Sequence, residues 1–245
     1  MSKNLWQELL AYEIFPFEKS IPDDIRFRHS KNYIDFNHNI CYALPFYQEA
    51  VDHERGLNKE YLKYMVQREN TILRLITGLE VYLVDTFKMI SESITLDMLD
   101  RSELAYFVTE FRLEKEYFRT LKESIGAINL AKIIPKRLDI QQKDKCKKAY
   151  SLIGINVISV AEDSQLIWDR IFNSKDGYMQ MRHEIVHRGT VQTYSVNINA
   201  DYIKSAVIDI AKFIYNLDIK VISLYPKSDY PQFYIEKDSL LGVNI

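Results

Sequence analysis

The sequence predicts an all-α protein, specifically an antiparallel helical bundle of about five main helices with an N-terminal extension. Two observations support this fold class. Glycine and proline are scarce, with 7 and 6 copies among 245 residues, and Pro135 is the only proline between Pro45 and Pro226. The stretches between these residues carry apolar side chains at steps of three and four, which is the spacing of one face of a helix.

Three segments differ in pattern along the chain. Residues 1–57 are irregular, rich in aromatic residues and interrupted by prolines, so we expect an N-terminal extension of uncertain fold. The regular apolar stripes occupy 58–225, which is the predicted bundle. Residues 226–245 are expected to form a C-terminal tail.

The first half of the bundle contains two predicted helices. One long amphipathic helix is expected over 58–92, and a second follows over 104–125 and ends at Gly126, a residue suited to the left-handed conformation after a helix. The apolar, β-branched segment 152–160 is strand-like, although no alternating partner strand lies near it in the sequence.

The second half predicts three further helices. Short helices are expected over Leu166–Phe172 and Tyr178–His187. The clearest apolar stripe runs from Ile203 to Leu224. Asn199 or Asp201 is suited to cap the start of this last helix, since their side chains accept hydrogen bonds from free backbone N–H groups.

Overall charge excludes little, because 27% of the residues are charged and the formal net charge is −2. Locally, 112–148 carries eleven Lys or Arg against five Asp or Glu. Such a segment is either a solvated helix face or a surface that attracts phosphate.

Cys41 and Cys146 lie far apart, so reduced thiols are expected rather than a disulfide framework. With neither a signal peptide nor a long apolar segment, we expect a cytoplasmic protein with no membrane partner.

The five histidines divide into two groups. His29, His38 and His53 lie in the irregular N-terminal part, and we expect surface or packing roles for them. His183 and His187 belong to a run of ionisable residues on a short predicted helix. That run reads Met181-Arg182-His183-Glu184-Ile185-Val186-His187-Arg188-Gly189.

One interpretation of this run is a zinc peptidase. His183, Glu184 and His187 fit the pattern H-E-x-x-H, in which two imidazoles bind the metal and the carboxylate is the general base. A catalytic zinc needs a third protein ligand, and no histidine follows His187. The only later glutamate is Glu236, close to the end of the sequence. Asp201 or Asp209 could serve in principle, and neither lies in a recognisable ligand motif. The zinc peptidase is therefore the third choice, and we expect no metal and no other cofactor.

A second interpretation pairs Arg182 with His187. An imidazole can take a proton from a ribose 2′-hydroxyl or give one to a leaving oxygen, while a guanidinium stabilises the charge on a pentavalent phosphate. These two groups are the minimum for a ribonuclease that needs no metal. On one continuous helix, residues five apart are separated by about 140° and about 7.5 Å, so Arg182 and His187 do not point at one phosphate from the same helix. Two copies of the chain related by a twofold axis would bring both Arg–His pairs into a shared cleft, so we expect a homodimer.

The run from Arg182 to Gly189 resembles the signature of the HEPN family, in which an arginine, a polar residue and a few apolar residues precede a histidine, often followed by Arg-Gly. The setting is also similar, with an earlier long helix containing Leu79-Glu80-Val81-Tyr82-Leu83-Val84-Asp85 and a final amphipathic helix. The resemblance is closest to the MAE-type and RiboL-PSP-type bacterial members, which are linked to toxin–antitoxin and phage-defence systems.

The resemblance implies an endoribonuclease that cuts single-stranded RNA at a dimer interface and leaves a 2′,3′-cyclic phosphate. Arg182 and His187 would be catalytic, with His183 as a polar supporter. Arg188 would neutralise a neighbouring phosphate, unless it is a solvated cation at the helix end. Glu80 or Asp85, which lie beside apolar stripe positions, would pair with Arg182, unless they are ordinary exposed carboxylates. The resemblance also implies an antitoxin or another regulatory protein as partner. The alternative is a non-catalytic RNA-binding or dimerisation module on the same bundle.

Overall fold

The computed structural model describes residues 3–15, 22, 28–55, 61–135, 138–161, 163–188 and 198–225. Over these ranges the chain is mostly helical and contains no strand, which confirms the all-α prediction. None of the helices in these ranges is long and apolar enough to cross a bilayer. The predicted C-terminal tail, 226–245, lies outside the described residues.

The described ranges contain nine α-helices rather than about five. They are α1 (Lys3–Leu10), α2 (Lys31–Arg55), α3 (Tyr61–Ser93), α4 (Arg101–Glu110), α5 (Glu114–Glu123), α6 (Lys143–Leu152), α7 (Ser164–Phe172), α8 (Tyr178–Arg188) and α9 (Ala200–Leu224). Short 3₁₀ turns occupy Leu96–Met98, Leu130–Ile133 and Val157–Ser159.

Helix α2 lies in the segment that the sequence left as an extension of uncertain fold. It continues through Pro45 and packs along α3. Gly78 of α3 allows the close approach, since a Cβ at that position would lie 3.1 Å from the Cβ of Asn39. Aromatic side chains of α2 such as Tyr33 and Phe36 are buried in the core. The buried side chains of α2 thus belong to the same core as those of α3.

Helices α3 and α9 form where the apolar stripes predict them. In α9 the stripe is buried from Ile203 to Val221. Asn199 caps the helix, and its side chain accepts a hydrogen bond of 2.8 Å from the backbone N–H of Tyr202. The expected cap is therefore confirmed at Asn199 rather than at Asp201.

The prediction of one helix over 104–125 is wrong, because the chain breaks between α4 and α5. Arg112 adopts a positive φ of 55°. The next residue, Leu113, is buried, and its N–H returns to the carbonyl of Val108 at 2.8 Å. This is the bonding pattern that ends a helix at a left-handed residue. The apolar spacing over 104–125 gave the wrong prediction because it counted Phe118, which is exposed and does not belong to the core.

The strand-like interpretation of 152–160 is also wrong. Residue Leu152 ends α6, and Gly154 follows with φ of 75°. The N–H of Ile155 then bonds to the carbonyl of Tyr150 at 2.9 Å. The β-branched residues Ile155 and Val157 are each buried, the first in a turn and the second at the start of a 3₁₀ segment. Their apolar character reflects core contacts rather than strand pairing.

A buried carboxylate joins the N-terminal part of the chain to α9. Asp218 is fully buried. It lies 2.8 Å from Nδ1 of His29 and accepts hydrogen bonds from the backbone N–H and the hydroxyl of Ser30. The hydroxyl of Tyr82 on α3 donates to the same carboxylate at 3.1 Å. On the other side of the imidazole, Nε2 of His29 lies 2.6 Å from Glu13. His29 therefore has the packing role expected of it.

Substituting the buried carboxylate by its amide tests this junction. We expect Asp218→Asn to lower the free energy of unfolding by about 2–4 kcal/mol, because it removes a buried charge that several donors face. Urea denaturation measures the change. Asp201→Asn, an exposed carboxylate on the same helix, is the matched control and should cost less than about 1 kcal/mol. Equal losses in the two variants would contradict a special role for Asp218.

Candidate functional site

The position of α8 is set by the tight turn that precedes it. The N–H of Gly177 bonds to the carbonyl of Asn173 at 3.1 Å. A Cβ at Gly177 would lie 2.5 Å from both the nitrogen and the oxygen of Asn173, so this close approach requires glycine. The carbonyl of Gly177 then accepts from Met181 at 3.0 Å within the first turn of α8.

A second buried carboxylate fixes the start of α8 to its neighbours. Asp209 of α9 accepts two hydrogen bonds of 2.6 Å from the guanidinium of Arg170 on α7. It also accepts one of 2.6 Å from the hydroxyl of Tyr178, the first residue of α8. Burial and this carboxylate raise the pKa of Tyr178, so the phenol stays protonated as the donor. Three helices are held together at one point.

The next turns of α8 border an open cavity of about 590 Å³. Helix α3, the segment before α6 and the end of α7 form the other walls. The charged and polar side chains that line it include those of Glu80, Asp139, Gln141, Gln142, Lys143, Asn173, Ser174, Gln180, Arg182, His183 and His187. The cavity therefore contains most of the residues that the sequence singled out.

Arg182 and Glu80 form an ion pair across the packed helices α8 and α3. The distance from Nη2 to Oε2 is 3.6 Å, and the Arg182 and Glu80 side chains are 26% and 11% exposed. The Nε of Arg182 is buried and has no hydrogen-bond partner among the described residues. Burial raises the pKa of Glu80, the positive charge of Arg182 opposes that rise, and the negative charge of Asp139 adds to it.

The two histidines of α8 lie side by side on the exposed part of the cavity wall. His183 and His187 are one helical turn apart, and their ring centroids are separated by 4.3 Å with an interplanar angle of 50°. Both side chains are exposed. Solvent and a ligand in the cavity can therefore reach both imidazoles.

The structure brings four of the five predicted site residues to one cavity: Glu80, Arg182, His183 and His187. Arg188 ends α8, and its side chain lies outside the described residues. The alternative partner of Arg182, Asp85, is exposed and does not line the cavity.

Arg182 and His187 border the same cavity within a single chain, although the helix separates their directions. The cavity extends around this side of α8, so residues at different angles reach it. Their spacing alone therefore does not require a second subunit.

The geometry does not favour the zinc peptidase. Glu184 is buried, its carboxylate accepts a hydrogen bond of 3.2 Å from Gln180, and it does not line the cavity. It is therefore not placed as a general base beside the histidine pair. Asp209, one candidate for the third ligand, is occupied by Arg170 and Tyr178. In the part of the chain that the structure describes, no group of three or more His, Cys, Asp or Glu is arranged to hold a metal ion.

Sequence reasoning missed the residues that the segment before α6 and the first residue of α6 contribute. Asp139 and Lys143 both line the cavity, and both are already paired. Asp139 binds Lys145 at 2.7 Å, and Lys143 binds Asp169 at 2.7 Å. These residues lie about forty positions before Arg182 and carry no motif. The local basic excess was the one signal that marked this segment.

No protein-family model, curated protein or solved structure matches this chain at a significant level.

The raised pKa of Glu80 predicts a pH dependence of stability. A carboxyl whose pKa is higher in the folded state stabilises the fold fully below its unfolded pKa, near the ordinary value of 4.5, and this contribution is lost as the pH rises through the folded pKa. The Glu80→Gln variant has no carboxyl group at this position, so its stability does not show this loss with pH. We therefore expect the stability of the wild type, relative to Glu80→Gln, to fall as the pH rises through this window.

Urea denaturation between pH 4 and pH 8 measures the difference. Glu123→Gln, an exposed carboxylate on α5, controls for the change in net charge. A difference between wild type and Glu80→Gln that does not vary with pH would contradict the prediction.

Proposed function

We propose that this protein is a metal-independent endoribonuclease that cuts single-stranded RNA, built on a HEPN-like antiparallel bundle. One observation carries the proposal: the guanidinium of Arg182 and the exposed imidazole of His187 line the same open cavity. The resemblance of 182–189 to the family signature supplies the biological role, which is that of a cytoplasmic bacterial toxin or phage-defence effector held in check by an antitoxin or another regulatory protein.

The proposed reaction is transfer of a phosphodiester within the RNA chain. His187 accepts the proton of the ribose 2′-hydroxyl, and the 2′-oxygen forms a bond to phosphorus while the bond from phosphorus to the 5′-oxygen breaks. The departing 5′-oxygen takes a proton, from a protonated imidazole or from water. The products are a 2′,3′-cyclic phosphate and a 5′-hydroxyl, so the reaction consumes neither water nor metal.

Arg182 supplies charge stabilisation in this scheme. Its guanidinium is held by Glu80 at 3.6 Å, which is longer than a good hydrogen bond. Its N–H donors therefore retain capacity for the oxygens of a phosphorane, which carry more negative charge than the starting diester. In this role Glu80 positions the guanidinium and does not touch the substrate.

His183 and Arg188 have supporting roles. His183 contacts the His187 ring and orients it or the substrate. The cation of Arg188, at the end of α8, attracts the phosphate that follows the cleaved one.

A second candidate, the non-catalytic RNA-binding or dimerisation module, is favoured by a different observation. Two carboxylates, Glu80 and Asp139, line the cavity and offset the charges of Arg182 and Lys143. A cavity with balanced charge attracts phosphate less strongly than a basic one. Weak attraction of phosphate favours a module that does not cut RNA in this cavity, so the two candidates differ in whether RNA is cut.

Cleavage in EDTA distinguishes them. We expect the wild type to cut single-stranded RNA in the presence of EDTA, and His187→Ala and Arg182→Ala each to lower the rate by about 10²–10⁴-fold, because each removes a group that acts in the transition state. An RNA with a single 2′-deoxy nucleotide should resist cleavage at that position. Gel analysis of end-labelled RNA, with mass spectrometry of the cyclic phosphate, measures both.

Two variants serve as matched controls. His38→Ala and Arg119→Ala remove the same side-chain types from α2 and α5, outside the cavity, and should cut at the wild-type rate. Growth arrest on expression, relieved by His187→Ala, would support the toxin role. RNA binding without cleavage in the wild type would favour the module, and equal cleavage in all variants would overturn the proposed site.

The resemblance also implies a homodimer with the site at its interface. Sedimentation equilibrium should then give twice the chain mass of 29.0 kDa, and cleavage should fall on dilution below the dissociation constant. An active particle of 29.0 kDa would mean that the cavity of one chain suffices.

A further inference from the structure

The imidazoles of His183 and His187 lie close enough together to chelate one metal ion. They project from α8 one turn apart, both are exposed, and their ring centroids lie 4.3 Å from each other. Two histidines at this spacing on one helix face are a common way for proteins to bind a divalent transition metal. Both are on a helix that is fixed at its start by Tyr178.

The distance between the rings is compatible with one ion bound by both. With metal–nitrogen bonds of about 2.05 Å, the metal lies about 3.2 Å from each ring centroid. Two such ligands at 90° place the centroids about 4.5 Å apart, and two at the tetrahedral angle place them about 5.2 Å apart. The observed 4.3 Å is close enough to both values for the two rings to bind one ion.

We propose that His183 and His187 form a two-ligand site for a divalent transition metal, Cu²⁺ first and Ni²⁺ second, with water in the remaining positions. Imidazole is a suitable ligand for both ions, and Cu²⁺ binds most strongly in the series of divalent metals. The site differs from a catalytic zinc centre, since it needs no third protein ligand and gives Glu184 no role.

Metal binding and RNA cleavage are separable. The metal site depends only on the geometry of the two rings and goes beyond the proposed ribonuclease. If the ribonuclease is correct, a bound ion takes the nitrogen lone pair that His187 needs for proton transfer, and cleavage stops. Copper binding without RNA cleavage would overturn the ribonuclease alone, and EDTA-resistant cleavage without copper binding would overturn the metal site alone.

Titration of the full chain with Cu²⁺, followed by calorimetry and electron paramagnetic resonance in a buffer that does not bind copper, tests the site. We expect one high-affinity Cu²⁺ per chain with a spectrum of two nitrogen ligands. His183→Ala and His187→Ala should each weaken binding at least tenfold and remove one nitrogen. Since both side chains are exposed, these variants should fold, which circular dichroism checks.

His38→Ala is the matched control, because it removes an imidazole from α2, away from α8. It should bind Cu²⁺ as the wild type does. Wild-type affinity in both His183→Ala and His187→Ala, or a spectrum with fewer than two nitrogen ligands in the wild type, would overturn the proposal.

Discussion

Two buried carboxylates on α9 constrain how the other helices assemble. A carboxylate removed from water costs free energy unless donors surround it. Asp218 is satisfied by His29 and Ser30 from the N-terminal part and by Tyr82 from α3. Asp209, nine residues earlier and therefore on the opposite side of the same helix, is satisfied by donors from α7 and α8. Helix α9 therefore binds distant parts of the chain through these two carboxylates. The position of α8, which forms one wall of the cavity, depends on the contacts of Asp209.

The apolar stripes predicted α3, α7, α8 and α9, but they missed α2 and joined α4 and α5 into one helix, for a physical reason. In α3 and α9 many turns of apolar stripe are buried along one face, so periodicity alone identifies them. Between α4 and α5 the periodicity continues, yet the chain turns at Arg112 because Leu113 folds back to the core. Similarly, periodicity does not distinguish Asp209 and Asp218 from exposed carboxylates. Whether an acidic residue on a helix can be buried depends on hydrogen-bond donors that come from elsewhere in the chain.

The candidate site shows the same division between local and distant information. Arg182, His183 and His187 lie within six positions of one another, so their spacing in the sequence was enough to identify them as candidate site residues. Glu80 was identified as one of two possible partners, and the packing of α3 against α8 selects it. Asp139 could not be identified, since nothing near it in the sequence indicates that the segment before α6 reaches the cavity.

The pairing of charges around the cavity bears on what can bind there. The basic excess in 112–148 suggested a phosphate-attracting surface, yet Lys143 and Lys148 are paired with carboxylates from outside that segment. Any phosphate group that approached Arg182 would have to compete with Glu80, whose raised pKa makes it easier to neutralise than an ordinary carboxylate. Protonation of Glu80 would leave Arg182 without its counter-charge and make the cavity more positive. The state of this ion pair therefore sets the charge at this side of the cavity, while the two exposed imidazoles beside it remain accessible in either state.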